Sequence, residues 1–254
     1  MRHQKKLDKV TAPAARFQGW KAMPLGSKIA VVVLVALALM AILAPELAPF
    51  KPGQSGLASV EEVVTLDDGT ETNITSQAAP PGGDFIFGTD GSGRDVLSRI
   101  IYGARVSLVV GISATALALA AAVVLGAIAA TGRKWIAEAL MRTLDVIMSF
   151  PGIALAAVLV LALSATLPTL PVVVVSIAVL YVPQLTRVVR ANVISQFGED
   201  YVAASKVMGA SVPWILFKHV ARNCIAPIMV FATVLVADAI VFEASLSFVG
   251  AGIK

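Results

Sequence analysis

The chain has 254 residues, of which 57% are hydrophobic and only 14% charged, with a mean hydropathy of +0.85; soluble domains carry roughly 25% charged residues, so composition alone reads as a polytopic membrane protein. The net charge of +4 comes without a large basic cluster and with few aromatics, which excludes nucleic acid as the expected partner. One cysteine, Cys224, excludes an internal disulfide, and with only His3 and His219 beside it there is no Cys/His metal site.

Residues 1–28 hold seven Lys/Arg and one acid, and residues 29–44 hold no charge. A basic arm before an apolar run fits a first transmembrane helix or a signal peptide, because the run is shorter than the roughly 20 residues a spanning helix wants. The chain is read as a cytoplasmic arm, 1–28, followed by a transmembrane region, 29–254. Between 45 and 95 there are nine acids and two bases. The positive-inside rule puts this aqueous loop, taken as 45–105, on the side opposite the arm. Its middle, 55–79, reads either as disordered or as a small hairpin around Asp68-Gly69.

The loop ends in FGTDGSGRDVLSRIIYGARVSL. Gly88, Gly91 and Gly93 permit tight turns, and Leu97, Ile100, Ile101 and Ala104 make an apolar stripe that predicts an interfacial helix before the next span. No G-x-x-x-x-G-K-[ST] is present, so the glycines are not read as a phosphate loop. Residues 106–131 form a second uncharged run, rich in the Ala and Gly that suit close helix packing in lipid. A basic connector follows, in which Arg142 and Asp145 are spaced as a surface pair. The 41 uncharged residues 146–186 suffice for two spans, broken at Pro168 and Pro171.

Residues 187–222 return to the basic side, with five bases and two acids. Within them the stretch DYVAASKVMGASVPWILFKHV reads as helix, tight turn, helix. Tyr201, Ala204 and Met208 share one face, Gly209 ends the first helix, and Ser211 is a candidate N-cap for the second, whose first turn tolerates Pro213. A fifth span, 223–248, carries two acids, Asp238 and Glu243. Ionisable groups inside a membrane are functional candidates by default; for Glu243 the plain alternative is an interfacial acid paired within the bundle.

Four runs of this chain resemble the permease subunits of ABC importers, specifically the dipeptide, oligopeptide and nickel branch. Gly88-Thr89-Asp90, Gly93-Arg94-Asp95, Leu97-Ser98-Arg99, Tyr102-Gly103, Arg105 and Ser107-Leu108 are similar to the signature G-T-D-x-x-G-R-D-x-L-S-R-x-x-Y-G-x-R-x-S-L. Met141-Arg142, Asp145 and Phe150-Pro151 resemble M-R-x-x-D-x-x-x-x-F-P, and Glu243 with Leu246, Ser247, Phe248 and Gly250 resembles E-x-x-L-S-F-L-G, with Val249 in place of the second Leu. Residues 200–211 resemble the coupling motif E-A-A-x-x-x-G imperfectly: Ala203 stands where Glu is usual, Ala204 and Ser205 on the two alanines, and Gly209 on the glycine. Asp238 has no counterpart in these patterns.

The resemblance implies an all-α transmembrane bundle of the type I ABC importer permease kind, acting as the second, C-type permease. Five spans are visible and a sixth is expected beyond Lys254. It implies a second homologous permease, two ATPase subunits that carry the ATP and Mg, an extracytoplasmic solute-binding protein, and the cytoplasmic membrane as location, with the N-terminus cytoplasmic. It places ATPase coupling on Tyr201, Ala204, Ser205, Met208 and Gly209, and the extracytoplasmic signature on Gly88, Thr89, Asp90, Gly93, Arg94 and Asp95. No Walker motif stands in the chain, so ATP hydrolysis is expected on the partner chains. The cargo most expected is a di- or oligopeptide, with nickel or glutathione as alternatives. The rival class is an ion-coupled secondary transporter using Asp238 and Glu243. A membrane-embedded hydrolase is weaker, since no nucleophile with a base or metal cluster emerges.

Overall fold

A computed structural model describes residues 23–65 and 71–253. Most of the basic arm and the Asp68-Gly69 step lie outside the described residues. The chain forms two compact units, Met1–Arg105 and Val106–Lys254.

In the first unit, α1 (Leu25–Ile42) is apolar on every face and buries only Ala41, the pattern of a helix surrounded by lipid. A short α2 (Ala44–Leu47) follows, with Pro45 in its first turn, where the missing N–H has no helical partner to lose. Next come β1 (Val60–Thr65) and β2 (Glu71–Ser76), paired antiparallel with Val60 opposite Ser76 and Thr65 opposite Glu71. Of the two readings left open for 55–79, the hairpin is the one that forms.

The next helix differs from expectation. An interfacial segment and a separate span were predicted, yet α3 (Val96–Thr131) is one uninterrupted helix of 36 residues. Gly103 stands near the supposed joint, but a single glycine costs only about 1 kcal/mol, too little to end a long helix.

In the second unit, α4 (Lys134–Met148) and α5 (Gly152–Leu163) bend by 93° at Ser149 to Pro151. The outward helix was expected to start at Val146. It starts six residues later because Pro151 lacks an N–H and restricts Phe150 before it, so a helix ends ahead of the pair and a new one begins after it. A turn at 164–168 reverses the chain into α6 (Thr169–Phe197), with Pro168 at its N-cap position, as the prolines there suggest. Then come α7 (Asp200–Val207), the four-residue α8 (Val212–Ile215), a π-helical turn (Leu216–Val220) and α9 (Ala221–Phe248). Among the described residues four helical runs are long and apolar enough to cross a membrane, and the bent α4–α5 pair makes a fifth if it is one span. Apart from the hairpin the fold is the all-α polytopic bundle expected.

The core of this unit is built on small side chains. Val110, Ala114, Ala118 and Ala122, four residues apart on α3, are fully buried in one cluster with Val172, Ile177 and Leu185 of α6 and Leu235 and Ala239 of α9. Such a stripe lets backbones approach where burying apolar area gains nothing over lipid. At Gly126 a Cβ would stand 2.6 Å from Val189 Cγ1, so only glycine fits where α3 crosses α6. Arg190 Nε donates to the Ala129 carbonyl at 3.2 Å and fixes the same crossing.

Candidate functional site

The 88–95 signature folds into a knot that launches α3. Asp90 Oδ1 accepts the backbone N–H groups of Ser92 (2.9 Å) and Arg94 (3.0 Å), while Oδ2 accepts Arg94 Nε at 2.9 Å and Arg99 Nη1. Burial by itself would raise the Asp90 pKa. The hydrogen bonds from Arg94 and Ser92 and the Arg94 charge outweigh it and hold the carboxyl below the usual carboxylate range. Gly88 and Gly93 both take positive φ. Thr89, buried, donates its hydroxyl to the Gln77 carbonyl and accepts the Ala79 N–H, each at 2.7 Å. Asp95 is the N-cap of α3: its carboxyl accepts the N–H of Ser98 at 2.7 Å, the third residue of the helix. The Ser98 hydroxyl in turn accepts the Phe50 N–H at 3.1 Å. Thus six signature residues and two just beyond them serve one turn and one helix start.

The predicted stripe on the first turns of α3 is only partly internal. Ile101 is buried and Ile100 is 51% exposed, while Ser98, outside the stripe, is buried.

At 200–220 the helix, turn and helix all form. Gly209, at φ 84°, donates its N–H to the Lys206 carbonyl (2.9 Å), and Ala210 donates to the Ser205 carbonyl (3.1 Å). This double closure is the Schellman motif, which needs a left-handed residue at that place. Ser211 occupies the N-cap position of α8 but makes no side-chain cap. Val202 and Ser205 face inward, the Ser205 hydroxyl donating to the Tyr201 carbonyl at 2.8 Å. Half-buried Tyr201 donates its phenol to Gln196 Oε1 (2.8 Å) and accepts from Asn223 Nδ2 (3.2 Å). His219 stands edge-on to both Trp214 and Tyr201. The outward ridge is Ala203, Ala204, Val207 and Met208, the last two 90% and 80% exposed. Sequence spacing put Tyr201, Ala204 and Met208 on one face; the structure leaves Ala204 and Met208 bare and engages Tyr201 with its own chain.

The two acids of α9 point different ways. Glu243 is 6% exposed; Ser247 Oγ donates to its Oε1 at 2.8 Å, and Ser107 Oγ lies 3.5 Å from its Oε2. Asp238 is exposed and accepts the Tyr181 phenol at 2.7 Å. It opens into a cavity of about 230 Å³ lined also by Gln184, Phe150, Phe242 and Gly152. Sequence reading missed Tyr181 and Gln184, which reach the Asp238 cavity through the fold, and had Ser107 and Ser247 only as motif positions without their bonds to Glu243; a tyrosine and a glutamine three apart in a largely apolar run were the available signal. Asp145 pairs with Arg187 of α6 instead of the expected Arg142, because the two helices pack side by side. Cys224 is buried.

Long apolar helices packed through alanine and glycine, with a few polar clusters among them, are the architecture of a polytopic membrane protein. Residues 122–254 match the family described as binding-protein-dependent transport system inner membrane component, and the chain belongs to that family. It is 36% identical over 226 residues to a peptide transport system permease protein of Brucella suis biovar 1, covering 89% of this chain and 69% of that protein. It is 34% identical to the dipeptide transport system permease protein DppC of Haemophilus influenzae (90% and 73% covered), and 37% identical to the di/tripeptide permease DppC of Pseudomonas aeruginosa (67% and 55% covered). The chain is thus a multi-pass inner-membrane transport component and not an enzyme. The family takes the place of the ion-coupled alternative. Five residues turn a helix by roughly 500°, so Asp238 and Glu243 face about 140° apart.

Proposed function

We propose that the chain is the second, C-type permease subunit of an ATP-driven importer of di- or oligopeptides. It forms the path with a homologous permease, receives cargo from an extracytoplasmic binding protein, and couples to two ATPase subunits through α7. Its N-terminal arm and the 187–222 connection lie on the cytoplasmic side, and the 88–95 knot on the other. Relatives that bear dipeptide and di/tripeptide names support the cargo class.

One observation carries the coupling assignment: α7 presents a bare ridge of Ala203, Ala204, Val207 and Met208 on a helix anchored from beneath by Val202 and Ser205. Small residues leave room for a partner's backbone, and the large apolar pair beside them gains most from being covered. In this role Tyr201, Ser205 and Gly209 hold the helix at its angle while Ala204 and Met208 make contact. ATP-driven closure of the ATPases would then move α7 and, through the π-helical turn, α9.

The test is copurification with the ATPase subunits. Ala204→Glu introduces a carboxylate into the contact, and burying it unpaired costs at least several kcal/mol. The permease should remain in the membrane, with ATPase binding lost or hydrolysis uncoupled from uptake. Lys206→Gln, whose ammonium lies over its own Phe197 ring, should behave like the parent. Normal assembly and uptake in both variants would make α7 an ordinary surface helix.

A further inference from the structure

Three helices bring the Asp238 cavity to one depth. At about 1.5 Å per residue, Tyr181 lies about 18 Å from the start of α6, Asp238 about 15 Å from the end of α9, and Gly152 about 17 Å from the end of α5. In a hydrocarbon core about 30 Å thick, all three stand near the midplane. The irregular backbone at Ser149 to Pro151 is exposed at this level, with Phe150 54% exposed. Non-helical backbone at such a depth is tolerated only where protein covers it or water fills a cavity beside it. The cavity is therefore not open to lipid.

The Asp238 carboxyl takes one hydrogen bond, from Tyr181, and no Lys or Arg pairs with it among the described residues. Gln184 sits one turn along α6 from Tyr181 and adds a side-chain amide, and the rings of Phe150, Tyr181 and Phe242 line the cavity with it. A carboxyl with no cation paired to it, beside a phenol, a side-chain amide and aromatic faces, makes a receptor for a compact positive group.

We propose that this cavity is a midplane subsite for an ammonium group of the passing cargo, seated on the Asp238 carboxyl with Tyr181 and Gln184 as positioning acceptors and the Phe150 and Phe242 rings as walls. The identity of the cargo as a short peptide rests on the function proposed above; recognition of a cation does not. The ammonium is that of a peptide N-terminus or of a lysine side chain.

The experiment places a cysteine in the wall, Leu180→Cys in a Cys224→Ala background, in the assembled transporter. Modification is followed with a trimethylammonium and a sulfonate methanethiosulfonate reagent, each rate normalised to its reaction with a free thiol. The cationic reagent should be favoured at least about tenfold. Asp238→Asn, which keeps an acceptor for Tyr181, should abolish the preference. Millimolar dialanine, which carries only an α-ammonium, or N-acetylalanyl-lysine, which carries only a side-chain one, should slow modification, and the one that does so identifies the source; N-acetyldialanine should not. No modification by either reagent, equal rates, a preference that survives Asp238→Asn, or no protection by either ammonium-bearing peptide overturns the proposal. Since the readout is chemistry on this chain, failure of the ATPase coupling test leaves the charge preference standing, and the reverse holds equally.

Discussion

Asp90 closes the 88–99 turn with four hydrogen bonds on one carboxylate, and this has a measurable pH dependence. Its pKa is lowered in the folded chain, so its stabilising effect is complete above the ordinary carboxylate range near 4 and disappears as pH falls through the lowered value. Thermal unfolding in detergent should show Asp90→Asn less stable than the parent by about 1 kcal/mol at neutral pH, with the difference shrinking below about pH 4. A difference independent of pH would mean that the carboxylate's charge is irrelevant. Glu243 makes a second residue-level prediction. Its buried carboxyl is held by serine hydroxyls, with no salt bridge to it among the described residues, and Glu243→Gln exchanges a charge-assisted bond for a neutral one, a change of about 1 kcal/mol. Assembly should be normal and uptake roughly fivefold lower, as measured in cells expressing equal amounts. Parent-level uptake would reduce Glu243 to a structural acid. These residues were legible as types: the sequence showed an acid in a turn and an acid in a span. Their partners were not legible, because Arg99 reaches Asp90 only once the chain has turned, and Ser107 reaches Glu243 only across two helices.

At the scale of elements, the helix and turn at 200–209 followed from the sequence because every local preference agreed: acids at the start, lysine in the last turn, glycine at the stop. The joint within α3 and the start of α5 did not follow. In the first case a change in polarity was taken for a change in structure, and helical propensity ran straight through it. In the second an uncharged run concealed the backbone restriction of Pro151. The Schellman turn at Gly209 gives a test of geometry free of size. Gly209→Asn, a residue that enters the left-handed region readily, should retain ATPase binding and uptake, whereas Gly209→Val, at a cost of about 1–2 kcal/mol or more, should lose both. Equal tolerance of Asn and Val would show that α7 does not depend on this turn.

For the whole molecule, the fold class was legible because composition and charge spacing report the bilayer directly, while the routes between sites belong to tertiary packing that a single sequence does not display. Sidedness remains open to a simple measurement. Fifteen Lys/Arg fall in the arm and the two basic connectors, against two among the nine acids of residues 45–95. A cysteine at exposed Ser55, with Cys224→Ala, should therefore react with an impermeant maleimide added to intact cells. Reaction only after the membrane is broken would invert the topology. One feature of the bundle also bears on how it is made. With 12 residues, α5 reaches about 18 Å, well short of the bilayer core, so it is a poor stop or start signal for the insertion machinery when it emerges from the ribosome. The turn at 164–168 ties it to the 29-residue α6, and the two enter the bilayer together as a hairpin. Synthesis must therefore run past α6 before α5 is committed, leaving a nascent chain whose topology is settled late and by the longer partner.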